Sequence, residues 1–347
     1  MVKKYFSSVI CSKGYLSAYN TIYKKDPTAK VYIVNGDDYE KSVFFREMTK
    51  QLSGYNITLF NPFYDESTDG IYIKNLNTYI LSDGGYNKIY PALPGTWEKH
   101  INTAENKSYR ADLLHEVLIH KSQENNHYRE ACNTLKKASL IKERLHNELS
   151  PYLYEDKIVN FIHRFKSKEL KSINTHRKGE IRLLSSPTPL GFHTHYETIF
   201  DLCEKVINIV DETSFIASII SGVLKNCAVR EKIPVIASPS YFNNDFFQFL
   251  IFPTVKTGLC ISDKSHILPF EPYETVASSR FLTNPDILNS RNVEILLSVE
   301  EKFLEKAILS IYEGRDERYK YNDLTKGYSN ADEAIISAKK LVEKILN

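Results

Sequence analysis

The pair Lys41-Ser42 closes the polar turn of VYIVNGDDYEKSVFF, Val31 to Phe45, between a strand-like and a helix-like apolar run. A lysine followed by a hydroxyl residue in that setting is how a phosphate-binding loop ends. Glycines let successive backbone N–H groups converge on a phosphate, the lysine reaches the outer phosphates, and the hydroxyl holds Mg2+. The spacing is Gly, four residues, Gly, Lys, Ser/Thr. Counted back from Lys41, the glycine positions hold Asn35 and Glu40, with Gly36 one residue after the first. Asn35 tolerates left-handed backbone. Glu40 is expected to obstruct: it puts a side chain and a negative charge where phosphates must approach. Asp37 and Asp38 add two more carboxylates, and such repulsion reaches on the order of several kcal/mol where water screens poorly. Asp83, at the end of a later strand, lies where α/β sheets place ligands. Asp65, Glu66 and Asp69 could help hold Mg2+ near Ser42, or form a solvated acidic loop.

A strand, a turn and a helix must carry such a site, and the chain offers that plan twice. YFSSVICSKGYLSAYNTIY resembles LLSSPTPLGFHTHYETIF, with Gly14 on Gly191, Tyr19 on Tyr196 and Ile22 on Ile199, each 177 apart (191 − 14, 196 − 19, 199 − 22). The offset persists for Val34 on Val210 (176), Pro62 on Pro239 and Tyr64 on Tyr241 (177), and Asp83 on Asp263 (180). Ordered matches of this kind indicate two homologous halves. Strands are expected at 31–34, 56–60 and 75–81, then at 206–210, 234–237 and 256–262, with helices over 41–52 and 216–227. Strand–helix–strand alternation implies a mostly parallel sheet covered by helices.

Helical stripes follow each set of strands. Leu135, Ala138, Ile141, Leu145, Leu149 and Tyr152 recur at helical spacing, and Pro151 should end that helix. Ile295, Leu296, Val299, Phe303, Ala307, Ile308 and Ile311 repeat the pattern, and Asn330 with Glu333 caps a last helix. These helical pairs could cap their own sheet or join the halves. The expected organisation is a first unit over 1–165 with its helical pair from about 110, a Lys/Ser-rich linker over 166–178, and a second unit over 179–347 with a helical tail from about 290.

The order of motifs resembles the uncharacterised bacterial tandem P-loop ATPase-like proteins, which carry two nucleotide-binding units in one chain. KKYFSSVICSKGYLS, YIVNGDDYEKSVFF, NPFYDESTDGIYIKNL, TYILSDGG and IYPALPGTWEKHIN follow that family's sequence of segments. The resemblance implies two P-loop NTPase-like, Rossmann-like units, each followed by a helical hairpin. It places Lys41 and Ser42 on the Walker A lysine and serine and Asp83 on the Walker B acid, with Asn35 and Gly36 beside the phosphates of ATP–Mg2+. In the second half the two glycine positions hold Asp211 and Ile216, and Ala217 replaces the lysine, which leaves Ser218 and Asp263. Two functions follow: a degenerate, non-hydrolysing scaffold or regulatory binding module, or a nucleotide-binding ATPase/GTPase using only Lys41, Ser42 and Asp83.

Composition narrows the field. A net charge of +2 over 347 residues implies no strong nucleic-acid or membrane field. No run approaches the ~20 apolar residues of a membrane span. The five cysteines form no Cys-x-x-Cys pair, as expected of free thiols in a reducing compartment, so the cytosol is the default location. His193-Thr194-His195 could offer two imidazoles to a metal or be a polar turn, with no third ligand in sight. No Gly-x-Ser-x-Gly elbow, His-Glu-x-x-His helix or Gly-x-Gly-x-x-Gly loop supports a serine hydrolase, metalloprotease or dinucleotide enzyme. A nucleotide or a protein remains as partner.

Overall fold

The computed structural model describes residues 2–19, 26, 28–84, 86, 97–103, 111–170, 179–242 and 246–347. The first half contains strands β1 (Lys3–Phe6), β2 (Ser8–Cys11), β3 (Gly14–Ser17), β4 (Lys30–Asn35), β5 (Ile57–Asn61), β6 (Gly70–Ile73), β7 (Thr78–Ser82) and β8 (Trp97–Asn102), with helix α1 (Asp38–Gln51) after β4. Helices α2 (Ala111–Leu149) and α3 (Glu155–Glu169) follow. The second half contains β9 (Glu180–Ile181), β10 (Ser185–Thr188), β11 (Gly191–Thr194), α4 (Tyr196–Leu202), β12 (Lys205–Val210), α5 (Phe215–Arg230), β13 (Ile236–Pro239), β14 (Phe247–Phe252), β15 (Thr257–Ser262), β16 (Glu274–Ala277), α6 (Arg291–Lys326) and α7 (Ala331–Leu346).

The two halves repeat one topology. The first sheet runs β1-β5-β6-β7-β4-β8, and the second, read in the same sense, runs β9-β13-β14-β15-β12-β16. Corresponding neighbours pair alike: β1–β5, β4–β7 and β4–β8 are parallel, as are β9–β13, β12–β15 and β12–β16. The hairpin β2–β3 has its counterpart in β10–β11. The strand order thus supports the duplication independently of residue matches. One element differs from the alternation read in the sequence. The 75–81 run is a 3-10 turn followed by β7, and β6 before it pairs antiparallel to both β5 and β7. In the second half β14 takes the same place. A tight turn at Asn77, in left-handed backbone, joins β6 to β7 and needs no crossover helix.

The inner strands are buried on both faces, which explains why β14 (FQFLIF) and β15 (TGLCIS) read as continuous runs. Val43, Phe44, Phe45 and Met48 of α1 pack on the first sheet. A central cluster draws Phe6, Val31 and Phe60 of the first half together with Leu184, Ile199, Val206 and Phe249 of the second.

The helical pairs are exchanged between the halves. Ala334, Ala338, Leu341 and Val342 of α7 join the cluster of the first half, beside Phe44 and Met48. Ile158, Phe161, Ile162 and Phe165 of α3 join the second half, beside Phe215, Ile216, Ile220 and Leu224. Each short helix therefore covers the half that did not supply it. The long helices α2 and α6 run antiparallel along one another, as the ion pairs His120–Glu317, Glu130–Lys306 and Lys142–Glu300 require. They approach closely at Gly314, where a Cβ would lie 2.4 Å from the Tyr128 ring. Pro151 follows the end of α2 as expected, in a 3-10 turn. Of the expected linker, residues up to Glu169 belong to α3, and 171–178 lie outside the described residues.

Candidate functional site

Lys41 sits one turn inside α1, at the C-terminal edge of the first sheet. Strand β4 ends at Asn35 and the helix begins at Asp38, so only Gly36 and Asp37 separate them. The Asp37 side chain caps the helix, accepting from Glu40 N at 2.8 Å, and Ser329 Oγ donates to its other oxygen at 3.1 Å. The helix winds through the positions a phosphate cradle would occupy, because Asp-Asp-Tyr-Glu supplies a cap and helix formers in place of glycines. Lys41 Nζ donates to the Asp83 carbonyl at 3.0 Å and pairs with Asp38 Oδ1 at 3.3 Å.

Glu40 does not face that lysine's surroundings. It is fully buried, with Oε2 accepting from Thr103 Oγ1 at 2.7 Å and Oε1 accepting from Asn330 N at 3.1 Å. The expected obstruction is instead a tie between α1, the end of β8 and the first turn of α7. Gly36 lies against Thr103, whose Oγ1 would sit 2.0 Å from an added Cβ. Asn35 Nδ2 is 3.3 Å from His100 Nδ1. Both therefore serve the β4–β8 contact.

A cavity of about 180 Å3 opens beside Lys41 and Ser42, walled by Tyr64, Asp65, Asp69 and Arg318 among others. Arg318 arrives from α6, across the halves. Its guanidinium pairs with Asp38 Oδ2 at 2.7 Å and Glu124 Oε1 at 2.8 Å, donates to Tyr64 Oη at 3.1 Å, and lies 4.0 Å from the Tyr64 ring centre. Tyr321 Oη adds a hydrogen bond to Asp38 at 2.6 Å. Burial works against the Asp38 charge, but Arg318 and Lys41 hold its carboxyl well below the usual range. Burial lifts Asp69 to about 6, against the pull of Lys41.

A related charge pair links the same two long helices beside the second half. Lys142 Nζ pairs with Glu300 Oε1 at 3.1 Å and donates to the Glu212 carbonyl at 2.8 Å. Glu300 stands 176 positions after Glu124, and Arg318 stands 176 after Lys142 (300 − 124, 318 − 142). The duplication thus carries one cation–carboxylate pair per half between the same two helices. Burial raises Glu300 to about 7, with Lys142 opposing. The turn before α5 is closed by Asp211, which accepts from Ala217 N at 2.9 Å, Thr213 N at 3.2 Å and Thr213 Oγ1 at 2.7 Å. A carboxylate of the chain itself occupies the Ala217 N–H in the first turn of that helix.

Of the residues singled out in the sequence, Lys41 and Ser42 line the cavity, with Asp65 and Asp69 but without Glu66. Asp83 reaches Lys41 through its carbonyl. His195 is buried with its ring tilted against Phe6 at 4.6 Å and 5.1 Å from the His193 ring, with neither ring nitrogen hydrogen-bonded. Among the described residues no group of three or more His, Cys, Asp or Glu is placed to hold a metal. Arg318, Glu124 and Tyr321 escaped the sequence reading. For Arg318 and Glu124 the signal was charge recurring at the repeat offset, on Lys142 and Glu300; Tyr321 falls on Leu145 and gave none. No family model, curated protein or solved structure matches the chain. The fold and site define a duplicated α/β protein, and no helix among the described residues is long and apolar enough to cross a membrane.

Proposed function

We propose that the protein is a non-hydrolysing scaffold or regulatory binding module, a degenerate relative of P-loop NTPase-like tandem proteins. The observation that carries this reading is the engagement of Lys41. Its ammonium is bound to Asp38 and to the Asp83 carbonyl, and Asp38 is clamped in turn by Arg318. A polyphosphate would have to displace a carboxylate held by two cations and a tyrosine. At the start of α1 the Asp37 side chain already takes the Glu40 N–H that a phosphate would need. In the second half Asp211 takes the Ala217 N–H at the corresponding helix start. The cavity, at about 180 Å3, is smaller than the ~300–1,000 Å3 of sites that enclose drug-sized ligands.

The test is a thermal-shift panel with ATP–Mg2+, GTP–Mg2+ and ADP at millimolar concentration, with phosphate release measured alongside. A ligand that binds only the folded state raises the melting temperature. No shift and no release are expected. A second reading, a nucleotide site formed by Lys41, Ser42 and Asp83, has in its favour that Lys41 and Ser42 line the cavity at the C-terminal sheet edge. A shift with ATP–Mg2+ that disappears in Lys41→Ala would establish it and overturn the first.

A further inference from the structure

A second constellation lies in the other half, where Asp263 opens the turn after β15. Its Oδ1 accepts from Ser265 N at 2.8 Å and His266 N at 2.9 Å, so the turn closes on the carboxylate. The His266 ring folds back with Nδ1 3.2 Å from the same oxygen. On its far side His266 Nε2 lies 2.9 Å from Ser185 Oγ, on the first residue of β10. Burial opposes the Asp263 charge, but His266 and Lys142 keep its carboxyl below the usual range. An ionised carboxylate only accepts, so whenever the imidazole is neutral its proton belongs on Nδ1, donated to Asp263, and Nε2 is then the atom that accepts from the Ser185 hydroxyl. That is the polarity a general base on serine requires.

The fold does not demand this arrangement. In the first half the corresponding positions hold Ser8, Asp83 and Tyr86 (185 − 8 = 177, 263 − 83 = 180, 266 − 86 = 180). The serine and the aspartate recur, and only the second half has an imidazole between them. The rings of Phe192 and Tyr241 flank His266 at 5.5 and 5.6 Å. Ser185 is 6 % exposed and His266 2 %, and the half-buried Phe192 is the more exposed of the two rings on His266.

We propose that Ser185 is an activated nucleophile that accepts an acyl group from small activated esters. Ser185 Oγ forms a bond to the acyl carbon while its proton passes to His266 Nε2. The ester C–O bond breaks, and the leaving alcohol takes that proton. The product is an acylated Ser185 and a free alcohol.

The experiment treats the full chain with p-nitrophenyl acetate, follows nitrophenolate release, and maps the acetyl group by peptide mass spectrometry. Wild type is expected to carry the adduct at Ser185, and Ser185→Ala to carry none there. His266→Gln, with its melt checked against wild type, is expected to slow acylation by on the order of a hundredfold or more, the usual contribution of a positioned base. Phe192→Ala is expected to speed it by opening the approach. Two results overturn the proposal: no Ser185 adduct in folded wild type and folded Phe192→Ala, or an unchanged rate in folded His266→Gln.

Discussion

Glu40→Ala separates two accounts of the turn after β4. If Glu40 only guarded a phosphate site, its removal would leave stability unchanged and favour nucleotide. The structure gives it another task. Its two oxygens accept from Thr103 Oγ1 and Asn330 N, and the side chain has no exposure. Hydrogen bonds to a charged group contribute about 1.5–3 kcal/mol each. Losing both, with the Thr103 hydroxyl left buried and the exposed Asn330 N–H free to turn to water, should lower unfolding stability by about 3–5 kcal/mol. Thr103→Val removes one of the two and should cost about 1.5–3 kcal/mol on the same scale. Because the two residues share a bond, the double variant should cost less than the sum of the singles. Urea unfolding followed by circular dichroism measures all three midpoints. Glu40→Gly, which restores the glycine of the phosphate-loop spacing, should be at least as destabilised as Glu40→Ala and still give no thermal shift with ATP–Mg2+. A Glu40→Ala variant within about 1 kcal/mol of wild type, the lower bound of one buried donor left unpaired, would refute the reasoning. So would a nucleotide-dependent melt in Glu40→Gly.

Further expectations follow from the seams between the halves. Gly314→Ala places a Cβ 2.4 Å from the Tyr128 ring. It should destabilise by about 1–3 kcal/mol, as overpacking does, and Tyr128→Ala in the same chain should recover part of the loss, measured by denaturant titration. His195 is a histidine whose pKa is lowered to about 3, first by burial and then by His193 and Lys4. Glu197 is its nearest carboxylate, 3.6 Å from Nδ1. The unfolded chain takes that proton first, so stability is complete above the ordinary value near 6.5 and falls as pH drops from there toward 3. The slope is at most about 1.4 kcal/mol per pH unit. His195→Leu should flatten that acid limb in a pH series of melts.

The duplication was legible because glycines, prolines and aspartates at turns keep their places when surfaces drift. Gly14 and Gly191 both take positive φ, near 110°, in the hairpins that open each half. The antiparallel β6 and β14 were not legible as partners of their neighbours. Phe247–Phe252 announces a buried strand by composition, but pairing direction is set by the connecting turns. Lys41 and Ser42 were found at the cavity because local spacing places them one after the other. The tie that Glu40 makes was not legible, since its partners Thr103 and Asn330 lie 63 and 290 positions away. Arg318 reaches its partners from 194 to 280 positions away (318 − 124, 318 − 38), a distance that no local window spans. The serine relay carries no elbow motif, because its three members come from a hairpin strand and one turn.

The exchange of α3 and α7 has a consequence for the order of synthesis. The chain is made from residue 1 onward, and domains generally fold as they emerge. The second half meets the helix that covers it already complete, since α3 precedes it. The first half does not. Its Phe44, Phe45 and Met48 must wait, without their cover, until residues 331–346 have left the ribosome. The apolar face of α1 is therefore the surface a chaperone would hold during translation, and a chain stalled before α7 would present it to aggregation or to proteolysis.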